Sequence, residues 1–402
     1  MNSNQEFIRN FLSEYKVSPI QTELTSYIKK IALSKIHNIE FPDATMESWR
    51  KFSFSNFKLN EYIKDSEYTP FEELKSHSHY SIKDFSKLTE NETRIARRII
   101  EKYFDENSNN YFGMLNLLFF QQGIFVDIPS DYNTKEIISI PVSFPKTNIS
   151  FYPLVIVNVS KFSKAQIAIS FDSYECENFL LLNPLILAYA NSGSTLTLIL
   201  IEDISSSAFH FQNVCNWQEE SSNLNTFYFN LGGFRGKTLI ENSLIGKLAY
   251  SNIYGASALK KKEFLDVEVT VKHLESKTDS KLKFKSVVKD KSHNLFTGNL
   301  FIPKSSSGVS ASQISNNLLM NRTARAEAMP KLEVFADDVK CSHGATIGEV
   351  SVDQMFFLMS RGLTEEEARN LIVEGFFSEI IDKIEESELV EWLRARLLAK
   401  MV

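Results

Sequence analysis

Through the middle of the chain, short runs of alternating apolar and polar residues follow one another with no room for a helix between them. Val267, Val269 and Val271 alternate with Glu268, Thr270 and Lys272. Leu282 and Phe284 alternate with Lys281, Lys283 and Lys285, and Leu332, Val334 and Ala336 with Glu333 and Phe335. A period of two marks half-buried strands. Val269 and Phe284 are 15 positions apart, and Phe284 and Leu300 are 16 apart. No amphipathic crossover helix fits into such intervals, so a helix-wrapped parallel sheet is excluded. A sandwich, a barrel or a β-solenoid remains, and periodicity alone does not choose among them. Leu154 to Val159 and Leu196 to Ile201 are mixed or continuously apolar, as suits strands buried on both faces.

This β region, from about Gly123 to Ala336, lies between two helical ones. Before it, Phe7, Ile8, Phe11, Leu12 and Tyr15 recur at helical spacing, and Ser18-Pro19 reads as a cap with proline at the first helical position. Leu24, Tyr27, Ile28 and Ile31 form the next stripe. Residues from about Phe41 to Tyr80 are expected to be irregular. A further helix is expected from Thr89 to about Phe104, followed by a loop over Asp105 to Asn110. After the β region, Ser351 with Gln354 and Thr364 with Glu367 both have the capping-box pattern, and Gly362 stands where a helix-ending glycine belongs. Val373, Phe377, Ile380, Ile381 and Ile384 form one stripe; Val390, Leu393 and Leu397 continue it. The division is therefore a helical region at 1–117, a β core at 118–348 and a helical tail at 349–402.

Bulk properties narrow the class. The chain has 402 residues and a net charge of -6, which gives no electrostatic case for nucleic acid binding across the whole surface. No eighteen-residue apolar stretch is present, so no membrane span is expected. The N-terminus lacks a secretory layout, and three scattered cysteines make no disulfide framework. A reducing cytoplasm is the expected location. The tail from 349 onward holds 12 acidic and 6 basic residues. It reads as a solvated helical face or as a docking surface.

Enzyme templates are missing. There is no P-loop, no nucleophile elbow, no zinc-protease helix and no paired-cysteine motif. Gly232 to Lys237 is glycine-rich and basic but reads as a tight turn. His77-Ser78-His79 reads as an exposed loop. Cys176 and Cys215 read as buried, inert thiols. Cys341-Ser342-His343 differs: on extended backbone its thiol and imidazole project on one face, about 7 Å apart. Both are ligands for iron and iron–sulfur clusters. Two ligands complete no site, so the pair is incidental, or half of a metal site, or a cysteine activated by Lys340.

The segment Ala336 to Gly348 (A-D-D-V-K-C-S-H-G-A-T-I-G) closely resembles the signature of the SufD branch of the SufB/SufD family, scaffold proteins of the SUF iron–sulfur cluster assembly system. The likeness continues through Asp353 to Leu358, Ser360-Arg361-Gly362 and, upstream, Pro330 to Val334. Weaker likeness covers Trp49-Arg50-Lys51, Leu115-Asn116-Leu117, Gly123-Ile124-Phe125, Gly232-Gly233, the His273 region and Asn299 to Leu319, including Gln313. The cysteine-centred upstream motif of the SufB branch has no equivalent here.

The resemblance implies a right-handed parallel β-helix between two helical regions, with the 15-to-16-residue spacing as its rungs. It implies a non-catalytic scaffold that pairs with a SufB-like subunit through the β-helix and with a SufC-like ATPase through the C-terminal helices, around 351–384. The docking residues expected there are Gln354, Phe356, Phe357, Arg361, Leu371 and Phe377. His343, and after it Cys341, would lie at the SufB interface where a transient cluster forms. The isolated chain would hold no tightly bound cofactor, a flavin could join the complex, and a homodimer is allowed in isolation. The other readings are a SufB-like principal scaffold and a β-helix enzyme acting on polysaccharide, for which no carboxylate cluster is evident.

Overall fold

The computed structural model describes residues 22–401, apart from positions 56, 58, 60–70, 72–78, 135, 145–149 and 174–179. The expected first helix, Ser18-Pro19, His77-Ser78 and Cys176 lie outside the described residues.

The strands wind into a parallel β-solenoid of about seven turns. One sheet runs through β1 (Ser81–Asp84), β2 (Gly123–Ile128), β5 (Leu154–Val159), β8 (Leu185–Ala190), β10 (Ala208–Gln218), β12 (Arg235–Leu244), β14 (Phe264–His273), β16 (His293–Ile302) and β18 (Arg325–Val334), with β4 (Ser150–Phe151) and β7 (Leu180–Leu182) off this path. The other runs through β3 (Ile138–Phe144), β6 (Lys164–Ser173), β9 (Thr195–Asp203), β11 (Asn223–Asn230), β13 (Tyr250–Leu259), β15 (Asp279–Val288), β17 (Val309–Leu319) and β19 (Val339–Glu349). Only β1 is antiparallel to its neighbour.

This arrangement corrects the reading of the spacing. Strands 15 or 16 residues apart are half a turn apart and lie in opposite sheets. A full rung spans two strands: Phe264 pairs with His293, 29 positions on, and Asp279 with Ser310, 31 positions on. The segment with Cys341 and His343 is itself the last strand of the β core.

Alternation along each strand sends one set of residues into the lumen. On β14, Leu265, Val267, Val269 and Val271 are at most 1% exposed. Each such burial is worth about 1.5–3 kcal/mol. One lumen position is polar on five successive turns: Glu202, Asn230, Ser257, Ser286 and Asn317 are register neighbours in sequence. All five are buried. Both ends of the column are bonded, with Asn230 Nδ2 donating to Glu202 at 2.9 Å and Ser286 Oγ to Asn317 at 2.5 Å, while Ser257 Oγ turns to Asn294 at 3.4 Å. Asn317 Nδ2 then donates to the Thr346 carbonyl on the last turn, at 3.2 Å.

The turns on one side repeat more strictly than the strands. Asp131, Phe162, Gly193, Ser221, Leu248, Lys277 and Gly308 all have φ between 57° and 69°, one residue per turn. The Gly193 amide donates to Glu220 O and the Ser221 amide to Lys247 O, both at 2.9 Å, so each turn is tied to the next. After Phe162, Gly193, Ser221, Leu248 and Lys277 the following residue is small and buried, and Ser194, Ser222 and Thr278 return a hydroxyl to the carbonyl three positions earlier.

Helices cover both outer faces. On the first sheet lie α1 (Glu23–Ile36), α2 (Glu90–Glu106) and α3 (Tyr111–Phe119). Thr22, not Ser18, caps α1. Thr89 and Glu92 close a full capping box on α2, whose extent agrees with the sequence. Of the stretch expected to be irregular, the described residues 41–55 and Phe57 form an aromatic strap, in which Phe57 packs on Phe209 at 5.2 Å and Trp49 on Phe112 at 5.4 Å. Phe112 in turn stacks on Phe211 at 3.7 Å. On the second sheet lie α4 (Val352–Ser360), α5 (Glu365–Ile381) and α6 (Ser387–Met401). The stripe Val373, Phe377, Ile380, Ile381, Leu393 and Leu397 is buried against Ile199, Ile201, Phe227, Phe229 and Val287 of the solenoid. The tail therefore buries its own stripe on its own core. Thr364 and Glu367 close their capping box, whereas Ser351 only accepts from the Gln354 amide.

Candidate functional site

Both sheets end at the last turn, where β18 and β19 are edge strands among the described residues. Residues that would face a lumen are uncovered here. Leu332 is 37% and Ile347 47% exposed, although their register neighbours Leu300 and Asn317 are buried. An uncapped solenoid end presents unpaired strand edges and apolar lumen residues together, which is a template for another chain.

Cys341 and His343 sit on this edge. On β19 they are register neighbours of Ala311 and Gln313 of β17. Cys341 is half-buried and packs against the lumen core, while His343 is exposed. Burial pushes the Cys341 thiol above the ordinary cysteine range. Desolvation is the cause of that shift, and Lys340 does not figure among its causes. Cys215 is fully buried, as expected for an inert thiol, and burial raises it well above the usual value.

Beside His343, the buried Gln313 spans the lumen mouth. Its Nε2 donates to the Lys331 carbonyl of β18 at 3.0 Å. Gly298 makes this possible: a Cβ there would stand 2.2 Å from Gln313 Oε1. Sequence reading noted Gln313 only within a longer likeness. Its 30-residue offset from His343, one rung, is the signal that places it. No group of three or more His, Cys, Asp or Glu is brought together among the described residues. Cys341 and His343 are thus two donors at an open edge.

The second feature is the start of the tail. Phe356 is 74% and Phe357 56% exposed on α4. Arg361 holds its guanidinium 5.1 Å from the Phe357 ring centroid. A cleft of about 630 Å³ separates α4 from α5, lined by Gln354, Phe357, Leu371 and Phe376 among others. Gln354, Phe357 and Leu371 thus share one cleft, with Arg361 beside the Phe357 ring and Phe356 exposed on the same helix but outside the lining. Phe377 does not share it: at 1% exposure it anchors α5 to the solenoid. Val352 and Met359, not singled out in the sequence, add to the exposed apolar area. No described helix is long and apolar enough to cross a membrane.

These features define a scaffold class: a β-solenoid with an unfinished end, a two-donor edge and an apolar helical platform. Residues 144–376 match the SufBD core domain of the SUF system for FeS cluster assembly, and the chain belongs to that family. It is 31% identical over 169 residues to the iron–sulfur cluster assembly protein SufD of Escherichia coli, covering 42% of this chain and 40% of that one. It is 27% identical over 206 residues to a SufBD family protein of Synechocystis, covering 51% and 46%. A SufBD family protein of Mycobacterium leprae is 24% identical over 290 residues, covering 70% and 71%. The chain thus spans under half the length of the first two relatives.

Proposed function

We propose that this chain is a non-catalytic subunit of a cytoplasmic SUF complex, pairing through its unfinished solenoid end with a SufB-like subunit. The observation that carries this reading is the coincidence of two edge strands, exposed lumen residues and the Cys341–His343 pair on one turn. A partner extending both sheets would cover the apolar residues and bring further ligands to His343 and Cys341. The nascent iron–sulfur cluster is cargo at that junction. His343 is exposed and Cys341 half-buried on this edge, so His343 is the first donor and Cys341 the second.

A SufC-like ATPase would dock on α4 and α5. Exposed Phe356 and Phe357 supply apolar area, and Arg361 supplies an oriented cation at its rim. The test is affinity purification of the full chain from its native cell. Recovery of an ATPase and a homologous larger subunit supports the reading. A chain recovered alone, with stoichiometric iron after anaerobic reconstitution, would support the SufB-like principal scaffold instead.

A further inference from the structure

The charged surface of the solenoid is uneven in a way the composition hides. On the side opposite the left-handed turn column, three successive turns connect β13 to β14, β15 to β16 and β17 to β18. They carry Lys260, Lys261, Lys262, Lys291, Arg322 and Arg325, on a chain whose net charge is -6. None of the six side chains forms an ion pair with another described residue. Five of them are exposed, and Lys260 is half-buried.

Two acids stand on these turns. Glu263 is buried and pairs with Lys400 at 3.0 Å. Asp290 accepts from the Lys261 amide at 2.9 Å through Oδ2. The turns are also locked to one another. The Asp290 amide donates to Asn321 Oδ1 at 2.6 Å, and Asn321 Nδ2 donates back to Asp290 O at 3.0 Å. The Lys291 amide donates to Lys261 O at 2.9 Å. Lys261 and Asp290 both hold φ near 60°, a conformation costly for residues with a side chain. Lys262 and Lys291 thus occupy equivalent places on adjacent turns, about 4.8 Å apart along the stack. Like charges held this close repel, and Asp290 is the one carboxylate on the three turns left to offset them.

A small cleft of about 280 Å³ continues the edge toward α6, lined by Lys260, Lys261, Arg396 and Lys400. There Arg396 is neutralised by Asp203 and Lys400 by Glu263, leaving Lys260 and Lys261 uncompensated.

We infer that this basic edge is a docking surface for a short acidic segment of a partner protein. The edge is three turns wide, too narrow for the long backbone track that nucleic acid contacts require, and it offers no aromatic platform for bases. Apart from these six cations the chain has 38 basic against 50 acidic residues, a balance that does not favour an extended polyanion. A segment with several carboxylates fits the size, the sign and the rigidity of the display.

The probe is a fluorescein-labelled decaglutamate peptide titrated with the full chain and followed by anisotropy. The wild type binds, more weakly as salt rises. The exposed triple variant Lys262→Glu, Lys291→Glu, Arg322→Glu binds about tenfold or more weakly, with an unchanged melting curve. A control variant on the opposite turns, Lys161→Glu, Lys247→Glu, Lys304→Glu, binds as the wild type does. Absence of wild-type binding overturns the inference, as does an equal loss in both variants. Tighter binding of a single-stranded oligonucleotide of similar charge also overturns it, in favour of nucleic acid.

Discussion

Gln313 lies in register beside His343, one rung inside the open edge, and its carboxamide is fixed to the Lys331 carbonyl on the opposite sheet. The floor under the exposed imidazole is therefore a buried polar bridge from β17 to the edge strand β18, and Gly298 supplies the room for it.

Gly298→Ala should disturb that bridge. The new methyl would meet Gln313 Oε1 and press on Leu282 and Phe296. A loss of about 1–3 kcal/mol is expected from overpacking, read by urea denaturation. Combining it with Gln313→Ala should cost less than the sum of the two, because the clash partner is gone. Strict additivity would mean that Gly298 acts elsewhere.

Cys341 should behave as a protected thiol. Burial raises its pKa, so iodoacetamide labelling at neutral pH is slower than for a free cysteine and keeps rising beyond the ordinary cysteine range. Cys215 should label only after unfolding. Fast neutral labelling of Cys341 in the native chain, read by mass spectrometry, would support the activated-cysteine reading.

His273 gives a pH signature of the solenoid interior. Its ring nitrogens bond to Thr278 Oγ1 and Ser280 Oγ, both at 2.8 Å, and burial lowers its pKa from 6.5 to about 4. The unfolded chain takes up a proton at this residue below about pH 6.5, while the folded chain resists until about pH 4. Stability is thus fully present above the unfolded value and is lost as pH falls through this window, by up to about 3 kcal/mol. Asp266, raised to about 6 by burial, contributes with the opposite sign, so the comparison must be with His273→Asn. The wild-type minus variant difference should shrink from pH 7 to pH 4. A difference independent of pH would mean that His273 titrates normally.

The tail separates docking from folding. Phe356→Asp and Phe357→Asp should leave the melting temperature unchanged and abolish capture of a SufC-like ATPase in a pull-down. Phe377→Ala should instead cost about 3–5 kcal/mol, because it opens a cavity beneath α5. Loss of ATPase capture only with Phe377→Ala would place docking elsewhere.

Much of this was legible in the chain. The period of two and the short intervals excluded crossover helices, and Thr364 with Glu367 marked α5 correctly. The rung length was not legible, because 15 and 16 residues separate strands of opposite sheets. The better signal was in the turns, where Ser163, Ser194, Ser222 and Thr278 recur one residue after a left-handed position. That repeat is faint because Phe162, Leu248 and Lys277 occupy a conformation sequence rules reserve for glycine or asparagine. At the site, the i and i+2 rule placed Cys341 and His343 on one face. It did not show that the strand is an edge, and helical periodicity could not tell exposed Phe356 from buried Phe377.

The most direct test of the account is the iron and sulfide content of the purified complex carrying His343→Ala. The imidazole is exposed on this chain, so the complex should assemble with unchanged stoichiometry but hold markedly less cluster than wild type. Full cluster loading on the variant complex would contradict the claim that this edge supplies a ligand.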